Sequence, residues 1–156
     1  MDASKHGFVP NAEDFEHRVR TSFSQQQVMK LIGAELVTVA PGEVEIQIPF
    51  RPDLTQQHGF LHAGIITTIV DSACGYAAFT LMPAGAEVLT VEYKVNFIAP
   101  AKGEQFVARG KVMKPGRIIF FCTGEVLAIS EAEPKLVATI SATMMAIERR
   151  TGITVS

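Results

Sequence analysis

A short stretch of this chain places a carboxylate at a fixed distance after a turn that can open a helix. Residues 62–64 read His-Ala-Gly, and from Ala63 to Met82 almost every side chain is apolar or small. A helix that is apolar all round belongs in a core or a membrane, where an ionised Asp71 is costly unless it has partners or a task. The free backbone N–H groups at the helix start suit a negative charge. An anion-stabilising helix end and a buried carboxylate are two components of an acyl-transfer site.

The composition excludes several classes of protein. With 156 residues and a net charge of −2, the chain has the size of one domain and no basic stripe, so nucleic-acid binding is not expected. No secretory signal is evident, and the longest apolar stretch is broken by Asp71 and Gly75 and followed by Pro83, which argues against a membrane span. We expect a cytoplasmic protein in which Cys74 and Cys122 are reduced core thiols.

The surrounding pattern predicts the elements that position this helix. Residues 12–31 have a loosely helical apolar spacing, which indicates one or two short amphipathic helices. Pro41-Gly42 lies between two β-type runs, at 34–40 and 43–49, and predicts a hairpin. A loop follows at 51–61, and Pro83-Ala84-Gly85 stops the apolar helix. The remaining β runs are 88–98, 104–113, 118–129 and 136–147, with a charged loop at 130–135.

This order of elements predicts an α+β fold in one domain, 1–156, with an N-terminal helical segment at 1–31 and a tail at 148–156. The chain order is two strands, a long apolar helix and four strands. An antiparallel sheet of five to six strands wrapped around one central helix buries both the helix and one face of the sheet. Such a sheet covers only part of an apolar helix, and its edge strands need pairing or protection. We therefore predict a homodimer that joins two sheets.

From Phe23 to Ile147 the chain resembles the hotdog-fold thioesterases of the PaaI type, a group related to a mammalian acyl-CoA thioesterase. The matching elements are Ala40-Pro41-Gly42, the segment 97–101 (Phe-Ile-Ala-Pro-Ala), and His62-Ala63-Gly64 followed by Asp71. The family signature is His-Gly-Gly with an aspartate nine residues after the histidine, and this chain keeps that spacing. The resemblance implies a hotdog fold, an acyl-CoA thioesterase without a cofactor, and a homodimer or a dimer of dimers (homotetramer).

The resemblance also implies roles for individual residues. The N–H of Ala63, with Gly64 beside it, would polarise the thioester carbonyl; alanine replaces the family's first glycine but keeps this donor. Asp71 would deprotonate the water or attack the carbonyl. It lies eight residues after Ala63, roughly 12 Å along the same helix, and in the family the carboxylate comes from the other subunit. Gln56, where the family often has asparagine, would orient the carbonyl or water, and Thr90 matches a hydroxyl that holds the water.

Candidate substrate contacts surround these groups. We assign His58, Phe60 and His62 to substrate binding, and the basic turn Lys114-Pro115-Gly116-Arg117 to the phosphates of coenzyme A. Tyr76 and Phe79 could line the acyl pocket or be plain core. His58 and His62 are spaced like a metal pair, but Gly59 between them and the loop context argue against a helix there, so no metal is expected.

Other interpretations of the same residues remain open. Asp71 could be a structural carboxylate capped by Thr67 or Thr68, and His62 could shape its turn rather than move a proton. A hydratase or dehydratase is disfavoured, because no histidine follows His62 and a His-Phe-Pro turn is absent. The alternative function is a non-catalytic acyl-CoA-binding module that senses a ligand.

Overall fold

A computed structural model describes residues 7–148, which form one six-stranded antiparallel sheet around a central helix. The helices are α1 (Phe15–Gln25), α2 (Gln27–Ile32) and α3 (Ala63–Phe79). The strands are β1 (Glu35–Ala40), β2 (Glu43–Pro49), β3 (Ala86–Phe97), β4 (Gln105–Lys114), β5 (Ile119–Ile129) and β6 (Lys135–Glu148). Their order in the sheet is β1-β2-β4-β5-β6-β3. This architecture confirms the predicted α+β hotdog fold, with six strands.

The hydrophobic core lies between α3 and the sheet face that curves around it. On β2 the side chains of Val44, Ile46 and Ile48 are buried while their neighbours are more exposed, as the period of two along a strand requires. Phe106 and Phe120, on β4 and β5, are fully buried large side chains of the same core. The helix is therefore held by the inward-facing residues of the strands.

Two paired glycines allow α3 to approach the sheet closely. Gly110 on β4 is the register partner of Gly124 on β5. A Cβ atom at Gly110 would lie 2.3 Å from the carbonyl carbon of Ala73, and one at Gly124 would lie 2.9 Å from Cγ2 of Val70. Because real Cβ atoms do not come so close to backbone, the middle of α3 can sit at this depth only over glycine.

Helix α3 is shorter and less uniformly apolar than the sequence pattern predicts. It ends at Phe79, and a turn rather than helix continues to Met82. Its second half is buried, but Thr67, Asp71 and Ser72 are only half-buried. The expectation of a helix without a wet face is thus wrong for its first half, because the sheet of one chain wraps only part of its circumference.

The N-terminal segment forms the two short helices that its pattern predicts, joined by a bend at Gln26. Val19 of α1 is fully buried. The Arg18 guanidinium donates to the carbonyl oxygens of Met82 and Pro83, each at 3.1 Å, and lies 4.6 Å from the ring centroid of Phe79. These contacts fix α1 against the end of α3.

The two cysteines lie in the core, as expected. Both Cys74 and Cys122 are buried and free. Burial raises the pKa of the Cys74 thiol and raises the pKa of Cys122 to about 12. Both thiols therefore stay protonated near neutral pH and act as small packing groups.

Several loop and boundary predictions are refined. The expected loop at 51–61 contains a 3₁₀ turn, Pro52–Leu54, and a bridge between Thr55 and Leu61. Strand β3 starts two residues earlier than predicted. The tail expected at 148–156 lies, beyond residue 148, outside the described residues. Within residues 7–148 no helix is long and apolar enough to cross a membrane.

The sheet ends in two edge strands, and the longer one carries exposed apolar side chains. Strand β3 pairs with β6 on one side over its 12 residues. Leu89, Val91, Tyr93 and Phe97 on β3 each have about half of their surface exposed. A long apolar edge of this kind offers backbone groups and side chains for pairing with another strand.

Candidate active site

His62 organises the start of α3. It is the N-cap residue, and its Nδ1 atom accepts a hydrogen bond from the backbone N–H of Gly64 at 2.8 Å. An imidazole that accepts at Nδ1 carries its proton on Nε2 in the neutral form. This contact agrees with a turn-shaping histidine. It also uses the N–H of Gly64, so the amide of Ala63, which as the first helical residue has no acceptor within the helix, is the donor left to face a substrate.

Asp71 is held by Thr90 from the neighbouring strand β3. The Thr90 hydroxyl donates to Oδ1 of Asp71 at 2.9 Å. Burial raises the pKa of the Asp71 carboxyl above its ordinary value, and the hydrogen bond from Thr90 opposes that shift. A half-buried carboxylate with one fixed donor is suited to accept a proton from a water.

The expectation that Thr67 or Thr68 caps the Asp71 carboxylate is wrong, because both hydroxyls have other partners. The Thr67 hydroxyl donates to the carbonyl oxygen of Ala63 at 2.9 Å, and the Thr68 hydroxyl donates to that of Gly64 at 2.7 Å. Both threonines thus bond to the helix backbone, which leaves Thr90 as the side chain that holds Asp71.

Two clefts flank α3 and separate the candidate amide from the candidate carboxylate. Asp71 and Gly64 face a cleft of about 570 Å³ that is also lined by Tyr93 and Val95 of β3. Ala63 faces a second cleft of about 420 Å³. Phe97 lines both clefts. Within one chain, therefore, the two groups open into adjacent spaces rather than onto one point.

The loop residues before α3 belong to the second cleft. Gln56 and Phe60 line it beside Ala63. The side-chain oxygen of Gln56 accepts a hydrogen bond from the backbone N–H of His58. This bond fixes the orientation of the Gln56 side-chain amide in the loop. His58 itself is exposed and lines neither cleft.

Two other groups of predicted substrate contacts lie apart from the clefts. Lys114, Gly116 and Arg117 are exposed in the hairpin between β4 and β5 and line neither cleft; their role toward phosphate stays a prediction. Tyr76 and Phe79 are buried and pack 6.4 Å apart, ring to ring. They are core residues, and neither lines the two clefts.

The sequence reasoning missed residues of the N-terminal bend. Gln26 and Val28 line the cleft of Asp71, and Oε1 of Gln26 accepts a hydrogen bond from Ser72 at 3.4 Å. The three consecutive glutamines at 25–27 carry no signal by themselves, because their contact with α3 depends on how the N-terminal helices dock. Among residues 7–148, no group of three or more His, Cys, Asp or Glu side chains is placed to hold a metal ion.

Comparison with known proteins identifies the family of this chain. Residues 58–135, half of the chain, match the Thioesterase superfamily. Human acyl-coenzyme A thioesterase 13 is 31% identical over 104 residues, which cover 66% of this chain and 72% of that protein. Across the curated relatives the matched stretch covers from 63% to 89% of their length.

Solved structures agree with the fold and the family. A thioesterase family protein from Silicibacter pomeroyi is 51% identical, with a TM-score of 0.85 and coverage of 86% of this chain and 98% of that one. The E. coli PaaI protein from the phenylacetic acid degradation operon shares the fold, with a TM-score of 0.78 at 15% identity over 88% of this chain and 96% of that one. These matches confirm the resemblance on which the expectations rest. The chain belongs to the thioesterase superfamily, a family of thioester hydrolases.

Proposed function

We propose that this protein is an acyl-CoA thioesterase that hydrolyses a thioester to a free acid and coenzyme A. The observation that carries the proposal is the Asp71 carboxyl, half-buried at the edge of a cleft and held at 2.9 Å by Thr90. Its position nine residues after His62 matches the family signature. The relative named acyl-coenzyme A thioesterase 13 supports coenzyme A as the thiol of the substrate.

The proposed chemistry divides between the amide of Ala63 and the carboxylate of Asp71. The amide donates to the carbonyl oxygen as it gains negative charge, and losing such a donor typically lowers kcat by ~10²–10³. Asp71 takes a proton from the attacking water, a contribution on the order of 10²–10⁴. The carbon–sulfur bond breaks, and the thiolate of coenzyme A leaves and regains a proton.

A dimer is needed to bring the two groups to one carbonyl. Ala63 and Asp71 lie roughly 12 Å apart along the same helix and face different clefts of their own chain. We propose that the exposed edge of β3 pairs with β3 of a second copy, so that the Ala63 cleft of one subunit meets the Asp71 cleft of the other. Gln56, beside Ala63, then orients the carbonyl or the water. A dimer or a dimer of dimers satisfies this geometry.

Asp71 can serve as a general base or as a nucleophile. The fate of oxygen-18 from labelled water distinguishes the two routes. As a nucleophile, an Asp71 oxygen bonds to the acyl carbon, the carbon–sulfur bond breaks, and water hydrolyses the resulting anhydride by attack on the Asp71 carboxyl carbon. A single turnover in oxygen-18 water then places label in Asp71, whereas a general base leaves the label only in the product acid. Mass spectrometry of the peptide that contains Asp71 reads the difference.

The proposed function is tested by thiol release from aryl-, short-, medium- and long-chain acyl-CoAs, with the wild type and Asp71→Asn. We expect turnover of at least one class and a loss of about a hundredfold or more in the variant. Binding of acyl-CoA without turnover of any member would contradict the proposal and favour the ligand-sensing module.

A further inference from the structure

A small polar cavity lies beside Asp71 and adjoins the larger cleft. Its volume is about 140 Å³. Asp71, Ser72 and Gln26 line both this cavity and the cleft of about 570 Å³, so these three residues form the wall between the two spaces. A water occupies about 30 Å³ in the liquid. The cavity can therefore hold several waters.

Hydroxyl and amide groups from two helices and one strand line this cavity. Ser22 of α1 and the Tyr76 hydroxyl of α3 lie 3.2 Å apart, and the Gln26 amide hydrogen-bonds to the same hydroxyl. Thr90 completes the lining next to Asp71. Burial raises the pKa of Tyr76, so its phenol stays protonated. Donors and acceptors are thus available for waters in contact with the carboxylate.

The charges that face this cavity come from α3 and β3. Asp71 lies on α3, and Glu87, at the start of β3, also lines the cavity and adds to the rise in the pKa of Tyr76 that burial causes. Two acidic residues and a polar lining disfavour an apolar acyl chain, because burying polar groups against hydrocarbon leaves them without partners. The composition of the wall suits water.

A glycine keeps this space open in the middle of α3. Gly75 lines the cavity, and no heavy atom of the described residues, apart from its chain neighbours and nearby helix backbone, lies within 4 Å of a Cβ atom built there. Its φ is not positive. Glycine inside a helix is unfavourable relative to alanine, and neither packing nor backbone conformation requires it here. Any side chain at this position would project into the cavity.

The N-terminal helices that close the cavity lie outside the stretch that matches the family. Ser22 and Gln26 precede residue 58, where the match to the Thioesterase superfamily begins. The family signature therefore accounts for Asp71 but not for these residues beside it. They are contributed by the N-terminal segment, which precedes the matched residues.

We propose that this cavity is a water chamber that delivers the attacking water to Asp71, with Gly75 and Tyr76 as positioning residues. The inference rests on the proposed function. Water enters from the cavity and gives its proton to the Asp71 carboxylate as its oxygen bonds to the acyl carbon. The carbon–sulfur bond breaks, and the proton passes on to the thiolate of coenzyme A. Gly75 keeps the space open, and the Tyr76 hydroxyl holds the row of waters.

The test narrows the chamber in steps and measures kcat and KM for acyl-CoAs of different length. We expect Gly75→Ala to lower kcat about tenfold, the effect of one displaced ordered water, and Gly75→Leu to lower it further. KM should stay unchanged, the loss should be equal for all acyl groups, and the melting temperature of Gly75→Ala should not fall. The matched control is Gly7→Ala, since a Cβ there also meets nothing within 4 Å among the described residues.

Tyr76→Phe removes the hydroxyl but keeps the ring that packs on Phe23, with 6.0 Å between centroids. We expect a lower kcat at unchanged KM. A crystal structure of the wild type should show waters bonded to Asp71 and Tyr76, and one of Gly75→Ala should show fewer.

Three results would overturn the chamber. They are a wild-type crystal structure without waters beside Asp71, an unchanged kcat in both Gly75 variants, and a loss that appears in KM or grows with acyl length. The last result would place the acyl chain in the cavity instead. If the wild type hydrolyses no acyl thioester, the proposed function itself is contradicted, and the cavity then has no attacking water to deliver.

Discussion

At the scale of single residues, the proposed site depends on one carboxyl, Asp71, whose burial disfavours its ionised form. Burial raises the pKa of Asp71, while Thr90 donates a hydrogen bond that favours the carboxylate. A base with a raised pKa is a stronger proton acceptor, but it is active only above that pKa. With Asp71 as the proposed base, burial moves the lower limit of the active pH range upward, and the hydrogen bond from Thr90 moves it back down.

We expect Thr90→Val to move the acid limb of the kcat profile to higher pH. Valine keeps the shape of the side chain but removes the donor, so the Asp71 carboxylate loses its stabilising hydrogen bond. Thr90→Ser keeps the hydroxyl and should leave the limb in place. A pH–kcat profile of the three proteins measures the shift. If the acid limbs of Thr90→Val and the wild type lie at the same pH, the role of Thr90 is refuted.

The same carboxyl should cost stability at neutral pH. Since the folded pKa of Asp71 lies above its unfolded value, its favourable contribution exists at acid pH and is lost as pH rises through the folded pKa. Asp71→Asn should therefore melt higher than the wild type at pH 8, with a gap that narrows toward pH 4. Calorimetry across this range gives the comparison, and a gap that widens toward acid pH would have the wrong sign.

At the scale of elements, the start of α3 carries both a cap and the amide donor. His62 accepts from Gly64 at 2.8 Å, and removal of an N-cap acceptor costs about 1 kcal/mol. We expect His62→Ala to lose about this amount in urea unfolding and His62→Asn to retain it. Equal losses in both variants would show that the contact with Gly64 does not stabilise the helix.

The glycine pair under α3 sets how closely the helix approaches the sheet. Gly110→Ala forces a Cβ atom against the backbone of Ala73, and overpacking of this kind costs about 1–3 kcal/mol. Gly75→Ala is a matched control, because it adds the same methyl group where space is open. Urea titration should show a clear loss for the first and none for the second. Similar stability of the two variants would contradict the close approach.

The sequence predicts the elements well and the contacts between them less well. The alternation in β2 and the break before β3 depend on local chemistry, so the sequence predicts both, although α3 ends at Phe79, before Pro83. The carboxyl of Asp71 and its spacing from His62 were likewise visible. Its partner Thr90 was found only through the resemblance, and Gln26 was not found, because its place beside Ser72 follows from the docking of α1 and α2. The sequence does not predict that Thr67, Asp71 and Ser72 of α3 are only half-buried, because a pattern of small residues does not show which side of a helix a sheet covers.

At the scale of the whole molecule, the edge of β3 should hold two chains together. Val91 is about half exposed at a bulge of this edge strand. Val91→Lys should yield a particle near the 16.9 kDa of one chain without activity, because a buried lysine disfavours strand pairing. Val37→Lys is the matched control, since Val37 is also exposed at a bulge of an edge strand, β1. Sedimentation that shows one oligomeric state for both variants would exclude this edge as the interface.

The shared site itself is tested most directly by mixing two inactive variants. Ala63→Pro removes the amide donor at the first helical position, where proline fits a helix, and Asp71→Asn removes the base. If each site takes its amide from one subunit and its carboxylate from the other, half of randomly reassembled dimers contain one intact site. Activity then returns to about a quarter of the wild-type level. No recovery in a mixture shown by mass spectrometry to contain mixed dimers would place both groups in one chain and contradict the account.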